Sequence, residues 1–478
     1  MQLRQVCVFS IDAANRYFSS DDMMYSTNFA EGRIIETTDY SASFADLLYR
    51  RQAIDAVTVT LDNSDGYFSK KAKTNEWRGA TLYFIIRDID ASINVQYSTY
   101  QISDVELTRT QCRITAYPHD VSIWDKPLAA KLITQAVFGS SSIHESAENK
   151  PIPIYLGKVD YVPMYSIYHD QDTGTHDFLI GYGTIGAIGN VYREGEIVPP
   201  SEYTFYDGTQ ASPYAGYAFI RYTSEQFDSD ANLLEQLVDI QLGIKVDGNT
   251  TCNVVALFKE FLQNTTWGLA QTVNASAFST AATNYPHGGG CAIYETEDAA
   301  SIRDKFLMAM NAAYIGKDTG NTWQLVVRQY TETNSATFTK YNMKDVSRCR
   351  IPSTDYVKKV SLSFYPQHAK ESAQYVFKKE TNAYKTFGIE REYESPYTYE
   401  EDVGTMIMNR IKATHLYQDD IIDFECGGDG LSLALGNIIL VDYPEIGIEN
   451  SRYEIIAIRK SSERASIKAA SYNSLIFA

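Results

Sequence analysis

The chain has 478 residues, and its 60 Asp and Glu against 42 Lys and Arg give a formal charge of −18. No basic run exceeds Arg50-Arg51 or Lys70-Lys71, which excludes a clustered cationic surface seeking nucleic-acid phosphates or anionic lipid. A hydrophobic content of 44% with 21% charged residues is that of a folding chain and not of a disordered one.

Aromatic usage is unusual: 36 Tyr, 21 Phe and 4 Trp, a bias that favours strands and subunit interfaces. The same tyrosines suit stacking on sugars, which keeps a carbohydrate-binding role open. Cys7, Cys112, Cys252, Cys291, Cys349 and Cys426 stand singly, with no CxxC pair and no His at metal-ligand spacing. They read as reduced, isolated thiols. Met1 to Arg16 holds only the short apolar stretch Val6 to Phe9, and no apolar run reaches 18 residues, so neither a signal peptide nor a transmembrane helix is expected. The sequons at Asn249, Asn264 and Asn274 read as chance matches.

In chain order, Ala56–Leu61, Thr81–Ile86 and Cys112–Tyr117 are β-branched or aromatic runs bounded by turn residues, which predicts strands. Asn63-Ser-Asp-Gly66 supplies a turn, and the spacing of Phe44, Ala45, Leu47 and Leu48 predicts a short helix before the first strand. From Lys150 to Ile244 the composition shifts to Gly, Pro and Tyr, the mark of a β-rich insertion. Two amphipathic helices follow, one with Val254, Val255, Leu257, Phe258, Phe261 and Leu262 on its stripe. The other carries Ile302, Phe306, Leu307 and Met310, with Thr296 as N-cap and Gly316 as its stop. A strand follows around Trp323–Val327, then a helix over Glu400–Leu416 with Val403, Met406, Ile407 and Ile411 on one face. Leu433–Val441, Tyr453–Ile458 and Ser466–Tyr472 read as closing strands. These boundaries divide the chain into 1–150, 151–245, 246–350 and 351–478.

Laying the first β region over the last gives a gap-free match of Tyr100–Ala116 on Tyr453–Ala469, with Tyr100/Tyr453, Ile102/Ile455, Ile114/Ile467 and Ala116/Ala469 identical. Upstream, Gly79–Ile86 matches the segment from Gly436 to Val441. Any two amphipathic hairpins share alternation, so this comparison alone leaves both chance and duplication open.

None of the chemical motifs survives inspection as a site. Gly183-Thr-Ile-Gly-Ala-Ile-Gly189 has the spacing GxxGxxG, and a hairpin-like sequence follows it where a dinucleotide site needs a helix. His169-Asp-Gln-Asp-Thr-Gly-Thr-His-Asp177 reads as a solvated turn in preference to a metal loop, as does Asp62-Asn-Ser-Asp-Gly66, which lacks the ligand pattern of a calcium loop. His144-Glu-Ser-Ala-Glu148 has Glu in place of the second His of HExxH, and neither GxSxG nor a phosphate-binding loop is present. The reading assigns no catalytic, cofactor-binding or metal-binding residue.

Taken together, several segments resemble the tail hub proteins of tailed bacteriophages and gene transfer agents, at siphophage tail tips and in the baseplate hubs of contractile tails. They are Val57–Phe68, Pro151–Gly157, Thr266-Trp-Gly-Leu269 followed by Phe278, Gly320–Leu325, Val357–Tyr365, and the closing run Leu435–Val441, Tyr453–Ile458 and Ala465–Tyr472. The resemblance implies an α+β, mainly β fold with two tube-type β-barrel or sandwich modules per chain plus α/β hub domains. It also implies a homotrimer whose six modules mimic a six-fold ring. The implied partners are a distal tail protein or tail tube ring, a tape measure protein, and a central fibre or tip protein. DNA would pass through the channel without specific binding, and the protein would be a non-enzymatic virion component assembled in the host cytoplasm. Compared with longer members of that family, the sequence runs six residues past its last expected strand, so any receptor-binding or wall-degrading activity would be expected in partner chains. A carbohydrate-binding tail adhesin or depolymerase is the alternative.

Overall fold

A computed structural model describes residues 3–11, 14–44, 52–73, 76–118, 121–128, 131–139, 143–170, 172–223, 236–246, 251–310, 313–317, 322–327, 330–350, 356–367, 374–382, 388–418 and 420–476. These residues fold mainly as β-strands with a few helices, the α+β, mainly β class expected. Of the expected barrel or sandwich modules, no closed barrel is found among the described residues, whose sheets are open.

Alternation decides the strands. Val57–Asp62 buries Val57, Val59 and Leu61 and turns its threonines outward, as a half-buried strand requires. It lies in a nine-stranded sheet with Leu3–Ile11, Thr81–Asp88, Ile93–Leu107 and Gln111–Pro118 at its centre. A second large sheet is built from Ala336–Thr339, Lys344–Arg350, Asp420–Cys426, Ile438–Tyr443, Ile448–Lys460 and Ala465–Ser471. The inner faces of the two sheets share one apolar core, in which Phe84, Tyr100 and Ile114 join Phe424, Tyr453 and Ile467.

A second core lies beneath the Gly/Pro/Tyr-rich insertion. Two four-stranded sheets, spanning Val159–Ile244, pack with the helices Val254–Gln263, Ala275–Asn284 and Ala299–Met310. Asn253 caps the first of these through its side chain, which accepts from the amides of Val255 and Ala256. The third helix is not capped by Thr296: Asp298 Oδ1 accepts the Ser301 amide at 2.7 Å, and a carboxylate serves the exposed N–H groups better than a hydroxyl two residues too early. Nor does Gly316 stop that helix, because Ala313–Lys317 is a strand paired with Trp323–Val327. A third, smaller core joins the sheet of Val357–Gln367, Gln374–Asn382 and Ile389–Ser395 to the helix Glu401–Tyr417. The helix expected around Phe44 falls on 45–51, outside the described residues, while Tyr40–Phe44 itself is a strand.

Candidate assembly interface

The two large sheets carry the same unit. Tyr100 faces Leu82, and Tyr453 faces Ile439 in the matching place. Ile102 pairs with Ala116, the register shifts between Ile102 and Asp104, and Val105 pairs with Ile114. In the second sheet Ile455 pairs with Ala469, the shift falls between Ile455 and Ala457, and Ile458 pairs with Ile467. A β-bulge is a specific backbone feature that alternation alone does not place.

The turns agree as well. Gly79 donates its amide to Ile102 O at 2.8 Å and Gly436 donates to Ile455 O at 2.9 Å. Both glycines are left-handed, with φ of +81° and +78°, a conformation that disfavours a Cβ. At the next turn Gln111 N donates to Thr108 Oγ1 at 2.9 Å, and Arg464 N donates to Ser461 Oγ at 3.1 Å. A third strand follows in each, with Ile114 opposite Val59 and Ile467 opposite Phe424. The alignment of Tyr100–Ala116 on Tyr453–Ala469 is therefore a structural equivalence, with a constant difference in residue number and no gap.

The units meet through an exchanged hairpin. After the strand Ile34–Thr37 the chain leaves the first sheet, and Tyr40–Phe44 pairs antiparallel with Ala457–Lys460 of the second. It returns as Gln52–Ile54, and Val57 re-enters the first sheet. Arg459 Nε meets Asp39 Oδ2 at 2.8 Å. Lys460 is 2% exposed and its Nζ donates to Gln96 Oε1 at 3.3 Å. Burial pushes its ammonium down to about 8, since a low-dielectric site disfavours the charged form. Its register partner Tyr40 is pushed up to about 12 by burial.

The sequence motifs are structural, but not all are turns: the solvated turn expected over His169–Asp177 is corrected, because its two ends are paired strands that bury His176 and Asp177. Gly183 lies at a turn with φ +71°, and its amide bonds Gly216 O at 2.8 Å. The strand Ile185–Arg193 then takes the place of the helix a nucleotide site would need. His169 and His176 sit on facing strands with rings stacked 4.7 Å apart. His176 Nε2 and Ser166 Oγ are 2.7 Å apart, and burial, with His169 and His144 nearby, pushes His176 down to about 3. Asp177 is fully buried and bidentate with Arg221, both contacts at 2.7 Å. Asp62 and Asp65 bond the backbone of their own turn through Ser64 N and Tyr67 N, and Asp65 also holds Arg33. Among the described residues no group of three or more His, Cys, Asp or Glu is placed to hold a metal ion, and no helix is long and apolar enough to cross a membrane.

No family model matches the sequence, and no curated protein matches it. Among solved structures, a chain from the virion of a native gene transfer agent particle matches with a TM-score of 0.50 at 13% identity, covering 73% of this chain and 93% of that one. A tail protein from Neisseria meningitidis MC58 covers 99% of this chain and 98% of its own at 8% identity and a TM-score of 0.46. The 43 kDa tail protein of prophage MuSo2 from Shewanella oneidensis covers 99% of both chains at 7% identity and a TM-score of 0.43. Two of these three neighbours of the chain are tail proteins and the third is part of a gene transfer agent virion. The gene transfer agent match places the fold among those used in virions, and the resemblance read from the sequence points the same way.

Proposed function

We propose that the chain is a structural component of a phage-type tail, acting as the hub that adapts and closes the distal end of the tail tube. In this reading each subunit contributes two tube-type modules, a homotrimer presents six of them, and the pseudo-six-fold ring docks on a hexameric distal tail or tube ring. The tape measure protein lies above, a central fibre or tip protein is held below, and the hub opens for DNA ejection. The protein acts by symmetry matching and gating and carries out no catalytic step. The observation that carries the reading is the pair of equivalent β units, which share register, bulge and turn chemistry. A chain with one such unit has no means of doubling its apparent symmetry, whereas a chain with two has that means built in.

Gold-labelled antibody against the chain, imaged on intact particles by electron microscopy, tests the location. Label at the distal end of the tail supports the hub. Label confined to the capsid, along the tube or on side fibres overturns it.

A further inference from the structure

The strand Ile93–Leu107 outlasts one of its neighbours. Pairing with Thr81–Asp88 stops at Gln101, whereas pairing with Gln111–Pro118 continues to Leu107. Among the described residues, Asp104–Leu107 therefore has a strand on one side only. The equivalent stretch of the C-terminal unit, Ala457–Lys460, has the exchanged hairpin on that same side.

Burial follows occupancy. Lys460 is 2% exposed and Ile458 3%, while Leu107, which matches Lys460, is 39% exposed. Thr108 is bonded across its turn to Gln111. Antiparallel alternation then turns the amides and carbonyls of Leu107 and Val105 toward the open side. An unpaired edge of this kind is a template for a further strand.

Charge narrows the choice of strand. Inside the chain Arg459 meets Asp39, and the residue matching Arg459 is Glu106. A second copy of the Asp39-bearing hairpin would set like charges together, which is unfavourable. Thr38 donates to Thr58 O, and Ser347 stands opposite Asp423, the residue matching Thr58. The next residue is Asp39 in one unit and Arg348 in the other. Arg348 is held by Asp420, and Arg350, two positions on, is exposed. The sign at each of these two equivalent positions is thus reversed between the units, with Glu106 lying 3.9 Å from Arg113 and Asp104 3.2 Å from Arg78 at the open edge itself.

We propose that Asp104–Leu107 is the docking edge for the C-terminal unit of a second copy of this chain. The inner strand contact is then repeated between chains, and the two units alternate around the assembly. This rests on the tail-ring reading and specifies the seam that holds the ring together. The contact is heterologous, so it closes into a ring when the rotation permits.

Light scattering on the full chain tests the edge. The expected wild-type mass is a whole multiple of 53.8 kDa. Leu107→Pro removes an amide that the strand's own sheet does not use, and it is expected to abolish the oligomer while the far-UV circular dichroism spectrum of the folded chain is retained. Glu106→Arg tests the same edge without a backbone change. It is expected to weaken self-association by roughly tenfold, the equivalent of ~1.4 kcal/mol, and Arg350→Glu added to it is expected to restore the wild-type mass. A wild-type monomer at every concentration, or an oligomer that both edge variants leave intact, overturns the proposal. Because the antibody label reports location and not mass, label at the tail tip with an unaffected oligomer sinks the edge alone.

Discussion

Lys460 allows a quantitative test of the seam between the two units. Burial moves its ammonium from the usual 10.5 to about 8. At ~1.4 kcal/mol per tenfold change in proton affinity, holding the charge inside the fold is unfavourable by roughly 3 kcal/mol at neutral pH. Lys460→Met keeps the length of the stem and removes the charge. The lost hydrogen bond to Gln96, at 3.3 Å, is worth about 1 kcal/mol. The expected net effect at pH 7 is therefore a stabilisation of about 2 kcal/mol.

The pH dependence follows from the direction of the shift. Between pH 8 and 10.5 the unfolded lysine binds more protons than the folded one, so wild-type stability rises through that window. Lys460→Met lacks this contribution, so its advantage is largest below pH 8 and fades toward pH 10.5. Urea unfolding of both proteins at pH 7 and pH 10 measures the difference. Hydrogen exchange across Tyr40–Phe44 and Ile448–Lys460 locates it at the exchanged hairpin. A Met variant less stable than wild type at pH 7, or a difference that does not move with pH, would refute the reasoning.

The equivalent turn glycines should respond alike. A Cβ at Gly79 or Gly436 meets no atom closer than 3.7 Å, so Gly79→Ala and Gly436→Ala each test backbone strain alone. Each is expected to destabilise by about 1 kcal/mol, and thermal unfolding showing very different losses would count against equivalence. Arg221→Met leaves the buried Asp177 carboxylate without its bidentate partner; a loss of about 3–5 kcal/mol is expected in urea unfolding of the core that contains it. His176, held near 3 against an ordinary 6.5, leaves the unfolded state binding more protons between those values. The chain should lose stability as pH falls from 6.5 toward 3, and His176→Gln should flatten that loss in circular dichroism melts.

What the sequence made legible is what local periodicity encodes. Val57–Asp62 and Gln111–Pro118 alternate cleanly, and the helices Val254–Gln263 and Glu401–Tyr417 show their apolar stripes. The helix Ala275–Asn284 escaped because its buried stripe is thin, with only Phe278 and Ala281 inside. Ile438–Tyr443 begins later than Leu433 because the left-handed turn at Gly436 must be completed first. The exchanged hairpin left no sequence signal. Alternation in Tyr40–Phe44 shows which side chains face a core, but not which of two sheets supplies the neighbour. The Arg221–Asp177 pair and the Lys460 seam were hidden for the same reason: their partners are distant in sequence.

Few identities were needed to keep two copies of one unit in register. The positions that must agree are those where the backbone makes a demand. Gly79 and Gly436 meet a left-handed conformation, and Thr108 and Ser461 supply a hydroxyl that closes a turn. Elsewhere any apolar residue of suitable volume fills the shared core. Where the copies differ in sign, the difference carries information of its own. Arg459 and Glu106 occupy one equivalent position, Asp39 and Arg348 another. In the proposed seam, a hairpin whose Asp39 suits Arg459 would meet a like charge at Glu106, so the reversal would favour unlike neighbours over like ones. Two backbones that are interchangeable in geometry are in this way given different charge preferences, which is what the proposed alternating arrangement would need.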